Sequence, residues 1–162
     1  MSTKNKKVAV GVAVVLVTLL FGSSAALAQA AKFHSATSSV NNDGALVVNW
    51  DQRGVGEGDI TYTLTADATA LYACINRGGK NPSAANKQSF EGAVAGGGTF
   101  EAKNGRVLGT LTAGPLAAPQ FTCPSGQRRV LASVTYTNIV LTDTTNGVST
   151  DVPDASRTFF VV

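Results

Sequence analysis

Between residues 60 and 65 the chain alternates strictly, Ile60, Tyr62 and Leu64 against Thr61, Thr63 and Thr65. A period of two puts the apolar set on one face of a β-strand and the hydroxyls on the other, so Thr should meet water. Beyond the N-terminal thirty residues no stretch shows apolar spacing at three and four, which leaves helix almost no place. Strand signals instead recur about every ten residues, each bounded by Gly, Asn, Asp or Pro, the spacing of a sandwich or barrel. The expectation is a single all-β domain over residues 31–162, an antiparallel sandwich of about eight or nine strands.

Residues 33–40 and 45–52 flank Asn41-Asn42-Asp43-Gly44, a hairpin turn, with Leu46, Val48 and Trp50 sharing the core face. Residues 71–76 read as a separate central strand that carries Cys74 inward beside Tyr72. A long loop follows over 76–86, then a short strand over 90–95, which Gly96-Gly97-Gly98 is expected to end. Asn104-Gly105 marks a two-residue hairpin between 99–103 and 106–112. That register would set Ala102 opposite Val107 and Phe100 opposite Gly109, a ring covering a glycine. Residues 113–127, with Pro115, Pro119 and Pro124, read as an irregular connection. In the longest predicted strand, 129–141, Val130, Ala132, Val134 and Tyr136 are in one phase and Ile139 and Leu141 in the other, which calls for a bulge near Asn138. Asn146-Gly147 gives a last hairpin, and 158–162 a closing apolar strand.

The N-terminus carries Lys4, Lys6 and Lys7, then an apolar run over 8–21 broken only by Gly11 and Thr18. Ala26-Leu27-Ala28 and Ala28-Gln29-Ala30 offer the small-x-small pattern of a cleavage site. This is the form of a signal-peptide helix over 1–30, cleaved after Ala30 or, alternatively, after Ala28. An uncleaved anchor is the rival, but the strongly apolar stretch makes only about 21 Å of helix. No permanent membrane span is expected after cleavage, and the address is secreted or extracellular. Three of the thirteen Lys and Arg lie in that leader and all ten acids lie beyond it, so the mature domain is electroneutral. Nucleic acid is therefore not an expected partner.

Both cysteines, Cys74 and Cys123, belong to the mature part, and an even count in an exported chain means one intramolecular disulfide. Closing a loop of that length is worth roughly 4 kcal/mol in the chain-entropy model. Metal ligation is disfavoured by the single His and the absence of C-x-x-C.

Three segments carry a resemblance: residues 62–70, Tyr72-Ala73-Cys74-Ile75-Asn76-Arg77-Gly78-Gly79 with Asn81-Pro82 and Ala85-Asn86-Lys87, and Cys123-Pro124-Ser125-Gly126-Gln127 with residues 134–147. Over most of the mature chain the sequence resembles the uncharacterised small secreted β-sandwich proteins of filamentous actinobacteria. That resemblance brings no catalytic residue or ligand with it. Leu46 to Trp50 followed by Ile60 to Leu64 is also similar to the second and third strands of a fibronectin type III domain. The expected type is thus immunoglobulin-like or fibronectin III-like, although Trp50 precedes both cysteines, against the immunoglobulin order.

Catalytic material is thin. His34 is the only imidazole, and G-x-S-x-G, H-E-x-x-H and the P-loop are all missing. Asp51, Glu57 and Asp59 surround Gly54 to Gly58, where a solvated turn is favoured over a calcium site because the spacing is not that of an EF-hand. The most individual feature is the loop with Arg77, Gly78, Gly79, Lys80 and Lys87, unopposed by acids and able to present backbone N–H groups to an anion. The expectation is a non-enzymatic protein without cofactor or metal that binds an extracellular or cell-envelope partner through such a loop. The alternatives are a small-molecule carrier, by analogy with actinobacterial immunoglobulin-like proteins that sequester enediyne antibiotics, and, third, a hydrolase.

Overall fold

The structure, a computed structural model, describes residues 30–76, 78, 86–118 and 120–162. The expected signal-peptide helix lies outside them. Among the described residues eight strands follow one another: β1 Lys32–Val40, β2 Leu46–Arg53, β3 Gly58–Asn76, β4 Lys87–Ala102, β5 Arg106–Ala113, β6 Gln127–Asp143, β7 Val148–Val152 and β8 Ala155–Thr158. They form two antiparallel sheets packed face to face, one ordered β1-β2-β5 and the other β4-β3-β6-β7, with β8 on the same edge of β6 as β7. Among the described residues no helix is long and apolar enough to cross a membrane.

Local chemistry makes the turns. Asn41 Oδ1 accepts from the backbone N–H groups of Asp43 and Ala45, closing the β1–β2 hairpin. Asn104 and Gly105 both take positive φ, 53° and 68°, the two left-handed residues a tight hairpin needs. Gly147, at φ 68°, turns β6 into β7. The predicted bulge stands where the phase slipped: Asn138 has φ 50°, and the β3–β6 register jumps between Thr65 and Asp67. Its amide donates to Asp67 Oδ2 at 2.8 Å, which offsets part of the strain.

Several expectations fail for one reason, long-range packing. The strands at 60–65 and 71–76 are a single 19-residue strand, longer than β6. Residues 66–70 belong to it because Ala66, Ala68 and Ala70 continue the buried phase of Ile60, Tyr62 and Leu64. Gly96-Gly97-Gly98 do not break the chain, for β4 runs through them in unbroken register with β3. A Cβ on Gly96 would lie 2.1 Å from the Thr112 carbonyl oxygen, so these glycines let β5 approach rather than end a strand. The hairpin register around Asn104-Gly105 extends only to Lys103↔Arg106, after which β4 turns to β3 and β5 to β2. Phe100 therefore faces Ile60, and Gly109 faces Trp50. A ring does cover Gly109, but it is the indole. The final strand stops at Thr158, and the N–H groups of Phe159 and Phe160 both donate to Ala132 O.

The main core joins Leu46, Val48 and Trp50 of β2 to Ile60, Tyr62 and Leu64 of β3, Val134, Tyr136, Ile139 and Leu141 of β6, and Val107 and Leu111 of β5. Two polar side chains are fully buried within it. Gln52 accepts from the Tyr62 hydroxyl at 2.6 Å and donates to Asp143 Oδ2 at 2.9 Å, linking the two sheets. Asp143 is saturated by the N–H groups of Thr145 and Asn146 and by the Asn146 amide, so it is satisfied where it is buried. β3 outreaches the smaller sheet, and its far end is covered on both sides. On one face Cys74 is bonded to Cys123 at 2.06 Å, and Tyr72 donates to Leu116 O. On the other, Phe160 and Val162 pack on Leu71, Ala73, Ile75, Val130 and Ala132.

Candidate functional site

Because β4 and β5 leave their shared turn for different sheets, a groove opens between them. Its largest lobe, about 730 Å³, is lined by Phe100, Glu101 and Lys103 of β4 with its turn, by Asn104, and by Arg106 and Leu108 of β5. A second lobe of about 520 Å³ shares Phe100 and Leu108 and adds Asn49, Trp50, Gly109 and Thr110. A third, about 530 Å³, runs under the turn along Arg53, Gly54, Asn104, Gly105 and Arg106. These are one depression with an apolar middle and a polar rim.

Phase explains what each residue contributes. Along β5, Val107 and Leu111 point into the core, while Arg106, Leu108 and Thr110 point outward. Leu108 is consequently 65% exposed, a large apolar side chain where the polar phase predicts a polar one. Gly109 sits beside it with no side chain, and its ideal Cβ would stand 2.2 Å from Trp50 Cζ2. The missing side chain lets the indole edge reach the groove wall, though Trp50 itself is only 3% exposed. Behind it the rings interlock: Trp50 lies 5.0 Å from Phe100 and 4.8 Å from Tyr62, and Phe100 meets Tyr62 edge-on at 5.7 Å. The three rings meet tilted or edge to face, the arrangements aromatic pairs prefer.

The rim is electrostatically organised. Arg106 donates through Nε and a terminal nitrogen to both oxygens of Asp51, at 2.8 and 2.9 Å, and Arg53 reaches the same carboxylate at 3.1 Å. The Arg106 hydrogen bonds, helped by Arg53 and opposed by desolvation, hold the Asp51 carboxyl down at about 2. Two guanidinium groups thus share one carboxylate, and the rim keeps a positive balance there with Lys103 beyond it. Below, burial pushes the Tyr62 hydroxyl up to about 12, with the Trp50 N–H opposing and Asp143 reinforcing the rise.

Of the described residues singled out in the sequence, Asp51 stands at the groove's rim, and Cys74, Gly78, Lys87 and His34 lie away from its lining. The disulfide Cys74–Cys123 is formed as expected. Of the expected binding loop, Arg77, Gly79 and Lys80 lie outside the described residues. The N–H of Gly78 is turned back onto Asn76 Oδ1 at 3.1 Å. Lys87 is not a loop residue, since it opens β4 opposite Ala73. The groove lies at the other end of the sandwich: Phe100 pairs with Ile60, about 45 Å along β3 from Cys74 at the usual rise per residue. Asp51, weighed as a calcium ligand, is occupied by arginines, and among the described residues no three His, Cys, Asp or Glu side chains group as metal ligands would. His34 is exposed on the β1 bulge between Phe33 and Ser35. Sequence reading missed Phe100, Lys103, Arg106 and Leu108. The one signal was Leu108 itself, an apolar residue flanked in phase by Arg106 and Thr110.

No protein-family model, curated protein or solved structure matches the chain.

Proposed function

We propose that the protein is an exported, non-enzymatic binding domain whose ligand site is the groove between β4 and β5. The observation that carries this reading is the juxtaposition at one mouth of exposed Leu108, the Phe100 and Trp50 rings, and Lys103, on a rim where Lys103, Arg106 and Arg53 outnumber Glu101 and Asp51. Such a site takes an apolar or aromatic body with an anionic or polar end, held by ring contact below and charge above. An oxidised Cys74–Cys123 bridge and the signal-like leader support an extracellular address, where the partner is an envelope or culture component. The strand order supports the immunoglobulin-like or fibronectin III-like type. Lettered along the chain, with β7 and β8 as one interrupted last strand, the sheets read A-B-E and C′-C-F-G. The Trp50 edge beside Gly109 favours a second reading, a carrier for a small planar molecule.

Anilinonaphthalene sulfonate, two aromatic units with one sulfonate, tests the site. Trp50 is the single tryptophan, so binding reads out both as dye emission and as quenching of one defined indole. Leu108→Asp and Lys103→Glu, both on solvent-facing positions, should each weaken binding by about tenfold, as for residues at the centre of a small contact. Unchanged affinity in both folded variants would place the site elsewhere.

A further inference from the structure

β4 is a 16-residue strand at the edge of the five-stranded sheet, and among the described residues no strand pairs its outer side. Sheet edges of that length are normally guarded by proline, lysine, a bulge or a covering loop, because a row of unpaired N–H and C=O groups invites another strand. Between Phe90 and Phe100 β4 has none of the sequence guards and no register shift, and its single charge there is Glu91. The solvent-facing positions Ala93, Ala95 and Gly97 are small and uncharged, so they set no bulk or charge against the side chains of a neighbouring strand on that face.

We propose that this edge is the interface of a homodimer, in which β4 pairs antiparallel with β4 of a second copy centred on Val94, making one continuous sheet of ten strands. Charge selects that register. β4 carries three charged residues, Lys87, Glu91 and Glu101. With Val94 opposite itself, each Lys87 faces the Glu101 of the other copy, Glu91 faces Gly97, and Ser89 faces Thr99. On the inner side Phe90 falls opposite Gly98, an aromatic ring over a glycine. Shifting the centre to Ala95 sets Lys87 against Lys103, and shifting it to Ala93 leaves Lys87 against Thr99, so neither alternative satisfies the charges. The pairing is self-complementary, as a two-fold interface must be. It also brings a second copy alongside Phe100 and Glu101, at the margin of the groove.

Sedimentation velocity and light scattering over a range of concentrations test this on the oxidised mature protein. The wild type is expected to dimerise. Glu101→Lys and Lys87→Glu, both exposed and therefore compatible with folding, should each raise the dimer dissociation constant about tenfold, since two pairs per dimer become repulsive. The double charge swap Lys87→Glu with Glu101→Lys should return it to the wild-type value. A protein that stays monomeric at every concentration, including one that captures extended peptides along β4 instead, overturns the proposal. So does a dimer indifferent to the single reversals, or one that the double swap fails to restore.

Discussion

Gly96 and Gly109 show how much of this sandwich rests on absent side chains. At Gly96 an added methyl meets the Thr112 backbone oxygen at 2.1 Å, and backbone cannot yield without moving β5. At Gly109 it meets the Trp50 ring at 2.2 Å. Gly92 is the control, since its nearest neighbour is a flexible Leu116 methyl at 3.1 Å. Gly96→Ala and Gly109→Ala should each cost about 2–3 kcal/mol, as overpacked sites do, and Gly92→Ala less than about 1. Urea denaturation checks the order, and in Gly109→Ala the emission of the single tryptophan should shift as the ring is displaced. Equal costs at all three positions would mean that the close approaches are soft.

Among elements, the hairpins were readable because turn chemistry is local: Asn41 to Gly44, Asn104-Gly105 and Asn146-Gly147 each fold through their own atoms and φ angles. The bulge at Asn138 was readable as a slip of phase between Tyr136 and Ile139. Non-local causes were invisible. Nothing within Gly96-Gly97-Gly98 announces a strand, because what keeps it extended is β3 on one side and Thr112 beneath. Nothing in the Asn104-Gly105 hairpin announces that its arms part, because β2 and β3 recruit them separately, and the groove is a product of that parting. Gln52 shares the phase of Leu46, Val48 and Trp50, yet only its partners Tyr62 and Asp143 explain a buried amide. The end of the β2–β5 ladder, where Arg106 and Arg53 clamp Asp51, makes its own prediction. A carboxyl lowered from 3.8 to about 2 adds stability that is fully present above its unfolded value and lost as pH falls through the folded one. Asp51→Asn should therefore unfold at lower denaturant near neutral pH, and the gap to wild type should close near pH 2. A gap that persists there would show that geometry, not charge, is what Asp51 supplies.

For the molecule as a whole the buried phenols set an alkaline limit. Desolvation raises Tyr62 to about 12 and also raises Tyr72 and Tyr136. The unfolded chain ionises near 10, so from there upward it loses protons that the native state retains, and stability falls as pH rises. Tyrosinate absorbance should appear together with loss of β circular dichroism in one step. Ionisation near the ordinary value with the fold intact would contradict the burial of these rings.

The two flanks of the larger sheet are finished differently. On the β6 side, Pro153 and Asp154 interrupt what would be one long outer strand, leaving the short pieces β7 and β8. Proline contributes no N–H and fixes its φ, so a foreign strand finds no continuous ladder there. β4 on the opposite flank is smooth. A sheet extends indefinitely only when both margins accept a neighbour, as in a fibril. With one margin closed by Pro153, any edge-to-edge union of this sheet is terminated after a single joining, and the larger sheet gains a means of pairing without a route to polymer.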